Sequence, residues 1–239
     1  MIVPVKESKV CSVLIPCRTC GVYAELSLLT TSVVLVAEPH NPAIISSDFL
    51  RNKGIVPAEW VPAPDSVCTP AFTHVDYPNK LSILVDPGRC TFGEVVNGAP
   101  KGDYLVHQCA REYAKQIEYN YSALGMNWQV GLVHDNPSDW LKCRFFRPGA
   151  WQNDLDLTSI AFSAPAPGAA TCNFTLQVAP HLPQANLAQI TTVMNCNFHF
   201  ELKGISEKTA RISDILTKGK DYESFLTQSI AKYLVEDLV

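Results

Sequence analysis

Charge is scarce in this chain. Of its 239 residues, 18% are Asp, Glu, Lys or Arg, against ~25% in ordinary soluble domains. The deficit implies a large core, or a surface partly covered by a partner. The net charge is −4 and no Lys/Arg run stands out as a basic tail. Nucleic-acid binders draw most of their affinity from phosphate neutralisation. The balance therefore disfavours nucleic acid and leaves room only for a local basic patch.

Long apolar runs are missing as well. The most apolar stretch, around Val33–Ala37, is far shorter than the ~20 residues a bilayer demands. The opening residues, Met1 to Ser8, lack the basic and apolar regions of a signal peptide. The expectation is a cytoplasmic protein with no membrane association. The nine cysteines are odd in number and irregular in spacing. A disulfide framework belongs to small secreted domains, so most of these cysteines read as small buried hydrophobes. The sequons at Asn120 and Asn173 carry weight only after export.

Catalytic and cofactor signatures are absent too. The sequence has neither a Gly-x-Gly-x-x-Gly turn nor a Gly-x-x-x-x-Gly-Lys phosphate loop. It has no His-x-x-x-His pair and no Gly-x-Ser-x-Gly elbow. Cys17 and Cys20 stand at metal spacing, but a structural zinc site wants a second pair and none follows. Asp154 and Asp156, beside Gln152 and Asn153, read as a solvated strand entry. No catalytic residue, cofactor or metal is expected.

What is present is a chain of short β-rich runs interrupted by turns. Strands are expected at Ser12–Pro16, Tyr23–Leu29 and Ser32–Ala37, since Thr and Val favour strand. A short helix over Asp48–Lys53, capped by Ser46 or Ser47, stops at Gly54. Pro57, Pro62, Pro64 and Pro70 make the next stretch an extended connector. Val75–Tyr77 and Leu81–Val85 flank a turn at Pro78–Asn79, and Cys90–Val95 follows. Over Asp103–Glu118, Val106, Cys109, Tyr113 and Ile117 fall on one helical stripe, while His107 and Cys109 point to different faces. Tyr121–Val133 returns to strand, and Asn136-Pro137 opens a helix to about Phe146. Strands at Leu155–Ser163, Cys172–Val178 and Thr191–Leu202 precede helices at Glu207–Lys218 and Asp221–Leu238, broken at Gly219. Runs of strands closed by helices argue for an α+β fold of mostly antiparallel sheet, with helices packed on one side. One compact unit is expected over 1–239, with two similar β-rich halves, 1–135 and 136–239, as a suggestion.

The most informative pattern is period-two alternation. Cys172, Phe174, Leu176 and Val178 share one side of their strand, and Asn173, Thr175 and Gln177 the other. Met194, Cys196, Phe198, Phe200 and Leu202 share one side of the later strand, and Asn195, Asn197, His199 and Glu201 the other. A freely solvated face more often carries Lys, Glu and Arg. A neutral amide, hydroxyl and imidazole face suits a protein partner or a polar ligand. The leading expectation is a non-catalytic interaction module, a homodimer or an accessory subunit, using this face. The alternative is an enzyme or small-ligand binder with a pocket beside the same strands, contacting His199, Asn197 and Gln177. A third reading is nucleic-acid binding through Lys142, Arg144 and Arg147, interleaved with Trp140, Phe145 and Phe146.

Several segments carry a resemblance. They are Asn41 to Leu50, Gly54 to Trp60, Tyr77-Pro78-Asn79 before Leu81, Ala123 to Asn127, Ala150-Trp151-Gln152, and Asn197 to Phe200. Together they resemble a group of uncharacterised bacterial proteins of similar length with no established activity. The resemblance implies a bacterial, cytoplasmic, stand-alone protein and carries no catalytic residue.

Overall fold

A strand whose alternate residues are oily must lay one face on a core, and nearly every strand here does so on the same side. The computed structural model describes residues 13–16, 23–98, 101–133, 136–147, 149, 156–179 and 190–235. In chain order the elements are β1 (Val13–Pro16), β2 (Tyr23–Ala37), α1 (Ser47–Asn52), β3 (Val67–Cys68), β4 (Thr73–Tyr77), β5 (Leu81–Asp86) and β6 (Arg89–Gly98). Then come α2 (Leu105–Gln116), β7 (Tyr121–Leu132), α3 (Pro137–Phe145), β8 (Ser159–Ala166), β9 (Ala170–Val178), β10 (Thr192–Glu201), α4 (Lys208–Thr217) and α5 (Gly219–Ile230). The fold is α+β: a single antiparallel sheet with helices packed against it.

The sheet runs β3-β4-β5-β6-β2-β7-β10-β9-β8, and β1 pairs with the first part of β2. Four strands lie beyond β2 and three beyond β7, so the order is close to symmetric about the β2–β7 pair. On either side an inner strand leads to a short helix, then to a meander that returns beside the inner strand, then to a longer helix. The 135/136 boundary lies between β7 and α3, inside the second of these runs.

The core lies between the helices and one sheet face. Val33 and Leu35 of β2, Ile83 of β5, Phe92 of β6, Leu124, Met126 and Trp128 of β7, and Phe198 of β10 are buried there. Leu50 of α1, Tyr113 of α2, Leu141 of α3, Ile212 of α4 and Leu226 of α5 meet them. Aromatic rings tie the layers: Phe198 lies 5.5 Å from Tyr222 and 5.2 Å from Trp128, between ring centroids. Edge-to-face pairs of this kind add to their area of burial.

Several expectations are corrected. The two runs Tyr23–Leu29 and Ser32–Ala37 are one 15-residue strand, and the register shifts between Leu28 and Thr30. An irregularity of this kind bends a strand without ending it. Strand β8 begins at Ser159, four residues later than Leu155, and Leu155 itself lies outside the described residues. The different faces to which His107 and Cys109 point are not exposed and buried ones. Both are buried, because α2 is covered by β2 and β6 on one side and by α4 on another. The break between the last two helices falls at Lys218, and Gly219 is the first residue of α5 rather than a residue before it. A Cβ there would sit 2.4 Å from His107 Nδ1, so only glycine admits the contact. Of the six cysteines described, Cys90, Cys109, Cys172 and Cys196 are buried, while Cys68 and Cys143 are exposed. Cys17, Cys20 and Asp154 lie outside the described residues.

Candidate functional site: the open face of the sheet

The other face of the sheet carries no helix among the described residues, and the seven polar side chains singled out from β9 and β10 all lie on it. Asn173 and Gln177 are exposed, Thr175, Asn195 and Asn197 half-buried, and His199 and Glu201 exposed. Their inward neighbours Cys172, Phe174, Leu176, Cys196 and Phe198 are buried.

The register shows why these residues form one surface. Ser163 pairs with Asn173, Asn173 with Asn197, Asn197 with Asn127, and Asn127 with Ser32. The same row continues through Gly93 and Ser82 to Asp76. One residue from each of eight strands therefore lines up across the sheet. Six of the eight are Asn or Ser.

The row is knit by side-chain hydrogen bonds. Asn197 Nδ2 donates to Asn127 Oδ1, and Asn127 Nδ2 donates to Ser32 Oγ at 3.1 Å. Ser163 Oγ donates to Asn173 Oδ1 at 2.7 Å. In the next row Gln129 Nε2 donates to Asn195 Oδ1 at 3.1 Å. Each bond holds two side chains in fixed orientation and limits their freedom, as cross-strand pairs do. The floor between them is low. Gly93 and Gly125 contribute no side chain, and Ile190 lies directly over Gly131, with its Cδ1 2.5 Å from where a Cβ would be.

Charge sits only at the margins. Asp86 and Arg89 form a 3.0 Å ion pair at the β5–β6 turn. Glu201 stands at the end of β10, with His199 Nε2 3.8 Å away. Asp76 closes the row on β4. Between them the described side chains of β2 and β7 to β9 on this face carry no formal charge: Val34, Val36, Gln129, Thr175 and the amide row. Val95 (68% exposed) and Leu84 (39%) add apolar surface on β6 and β5.

The basic set has a different fate. Lys142 is buried, 3.5 Å from Asp139 and 3.8 Å from Asp156. Arg144 donates through Nε to the Tyr233 carbonyl at 2.8 Å and through Nη2 to that of Lys232. Arg147 is exposed. Two of the three cations are spent inside the fold, α3 being pinned to its neighbours by them, and Phe145 packs on Phe162 rather than presenting a stacking surface.

On the helix side, polar groups cluster where α2 begins. The N-cap residue Tyr104 gives α2 no side-chain cap. Glu94 instead accepts the Val106 N–H at 3.3 Å, a carboxylate at the positive end of the helix dipole. Burial nevertheless pushes the Glu94 carboxyl up. Tyr104 donates to the buried Glu223. His107 lies between Tyr104 and Trp128, and burial lowers its imidazole to about 4. It is therefore neutral at pH 7. Among the described residues no group of three or more His, Cys, Asp or Glu could hold a metal. No helix among them is long and apolar enough to cross a membrane.

Reasoning from sequence missed Ser32, Asn127, Gln129 and Ser163 as parts of the face. The available signal was the Asn127 and Gln129 pair at period two, set in a run from Ala123 to Leu132 that is otherwise apolar or glycine. Comparison of the chain with protein-family models and with curated proteins returns no match, so nothing there supports the resemblance to the bacterial group.

Proposed function

We propose that the chain is a non-catalytic interaction module that docks another protein through the open face of its sheet, a second copy of itself being the first candidate. As an accessory subunit it would use the same face. The reading includes a bacterial cytoplasmic setting, in keeping with the resemblance noted above. One observation carries it: a pre-hydrogen-bonded centre whose described side chains carry no formal charge, bounded by Asp76, Asp86, Arg89 and Glu201. Interface cores are depleted in charge and their rims are polar, and this face has that anatomy. The amides keep their mutual bonds on docking, so little side-chain entropy remains to be lost.

The experiment is light scattering coupled to size exclusion over a wide concentration range. The wild-type chain is expected to show a mass rising toward that of a dimer. Val34→Lys and Thr175→Lys place an unpaired charge in the centre of the face and are expected to keep the chain monomeric. A monomer at every concentration, indistinguishable from T175K, sinks the self-association.

A further inference from the structure

On the opposite side of the molecule, α1 and α2 stand apart and leave a cleft of about 390 Å³. Gly54, at φ +65°, ends α1 and turns the chain so that residues 55–60 run along the cleft wall. Ile55, Val56 and Trp60 are buried there, and Leu105 and Cys109 of α2 face them. The body of the cleft is thus apolar. Its volume falls at the small end of the ~300–1,000 Å³ range of small-molecule sites.

Its polar lining is two arginines, Gln108 and one carboxylate, Glu112. Arg51 reaches in from α1 and Arg111 from α2. Arg51 pairs through Nη2 with Asp48, whose side chain is 75% exposed. Arg111 makes one long contact, Nε to Glu112 at 3.4 Å, and Glu112 is held more closely by Lys115 at 2.9 Å. Each guanidinium offers five donors in a planar fork, and these pairings occupy few of them. Lys80 adds positive charge nearby, its Nζ 4.9 Å over the Trp60 ring. A further polar group lies beside Trp60, outside the residues that line the cleft. The Tyr77 hydroxyl, beside Trp60 at 5.4 Å between centroids, is buried without a hydrogen-bond partner. Burial pushes that phenol up to about 12, and Arg51 opposes the shift, so the two groups lie within each other's field.

We infer that the cleft between α1 and α2 binds a small carboxylate with an apolar tail. The tail lies against Trp60, Val56 and Leu105, and the carboxylate is held between Arg51 and Arg111. Neither guanidinium is deeply buried, so its charge costs little desolvation in the empty cleft, while a bound tail displaces water and strengthens the pairing. The site does not depend on the open face of the sheet.

The probe is hexanoate, followed by saturation-transfer NMR and by its effect on the thermal midpoint, with hexanol as the uncharged control. Hexanoate is expected to bind saturably and to raise the midpoint. Hexanol should bind about tenfold more weakly, the loss expected for one charged hydrogen bond. Arg51→Gln and Arg111→Gln, both at partly exposed positions, should each weaken hexanoate about tenfold while leaving hexanol unchanged. Thr175→Lys, on the far face, should leave both unchanged. Equal binding of the two probes, indifference to both arginine variants, or no saturable binding of hexanoate to the folded wild-type chain each overturns the inference.

Discussion

Asn197 and Phe198 are chain neighbours on β10 that point to opposite sides of the sheet. Phe198 is fully buried among Trp128, Tyr222 and Phe225. Asn197 is half-buried and holds Asn127. The helix-side face owes its stability to packing that tolerates no gap. The open face owes its shape to hydrogen bonds that water could replace. The first should resist change and the second accept it, and the difference can be measured residue by residue.

The largest effect is expected from Phe198→Ala. Emptying a fully buried aromatic site costs ~3–5 kcal/mol, which would appear as a large drop in the denaturant midpoint. Asn197→Ala should cost under ~1 kcal/mol by the same measurement, since a net hydrogen bond at a wetted site is worth about that much. Equal losses at the two positions would erase the distinction between the faces.

Acid should act through the helix-side face. His107 stays neutral in the folded chain down to about pH 4, because burial disfavours the imidazolium. The unfolded chain takes up that proton near pH 6.5. Stability contributed by His107 is therefore full above pH 6.5, falls on acidification between 6.5 and 4, and is flat below. The shift corresponds to about 3 kcal/mol across that window. Glu94, raised by burial, contributes a slope of the opposite sign. Subtracting the pH–stability profile of His107→Gln from the wild-type profile cancels Glu94 and isolates the imidazole. A difference that does not change with pH would refute this account.

Two glycines sharpen the contrast further. Gly219→Ala drives a Cβ into the His107 ring, an overpacking expected to cost ~1–3 kcal/mol and to outweigh any gain in helix propensity. Gly125→Ala places a Cβ 3.6 Å from Asn197 Nδ2 and Val34 Cβ, ordinary contact distances. It should be neutral or stabilising by under ~1 kcal/mol. Thermal midpoints of the two variants should move apart, with G219A well below wild type.

Much of the fold was legible because the elements with one buried face advertise it. Strands β9 and β10 alternate cleanly, and the stripe of Val106, Cys109, Tyr113 and Ile117 marks α2. The inner strands β2 and β7 were harder. Their open-face positions include Val34, Val36, Ala123, Gly125 and Gly131, so the polar signal thins to Ser27, Thr30, Ser32, Asn127 and Gln129. The row itself is not a local property. The Asn127–Asn197 bond spans 70 residues and the Asn127–Ser32 bond 95, and only the register of three strands brings them together. The cleft between α1 and α2 is hidden for the same reason. Arg51 and Arg111 sit on different helices, and each alone reads as a solvated charge. Gly219 was visible as an interruption, but its cause, the ring of His107, belongs to a helix more than a hundred positions earlier.

The seam between β2 and β7 has a consequence for how the chain could be divided. Each of the two meanders closes onto its own inner strand, and the seam between those strands, paired from Leu26–Leu132 to Ala37–Tyr121 and crossed by the Asn127–Ser32 bond, joins one meander to the other within the sheet. A nick in the turn after Ile117 would leave two fragments, each ending in a long ribbon of unsatisfied N–H and C=O groups. Neither edge is short or, among the described side chains, guarded by charge, so each piece would seek the other. Fragments made separately and mixed should reassemble, and either piece left on its own should stick to copies of itself.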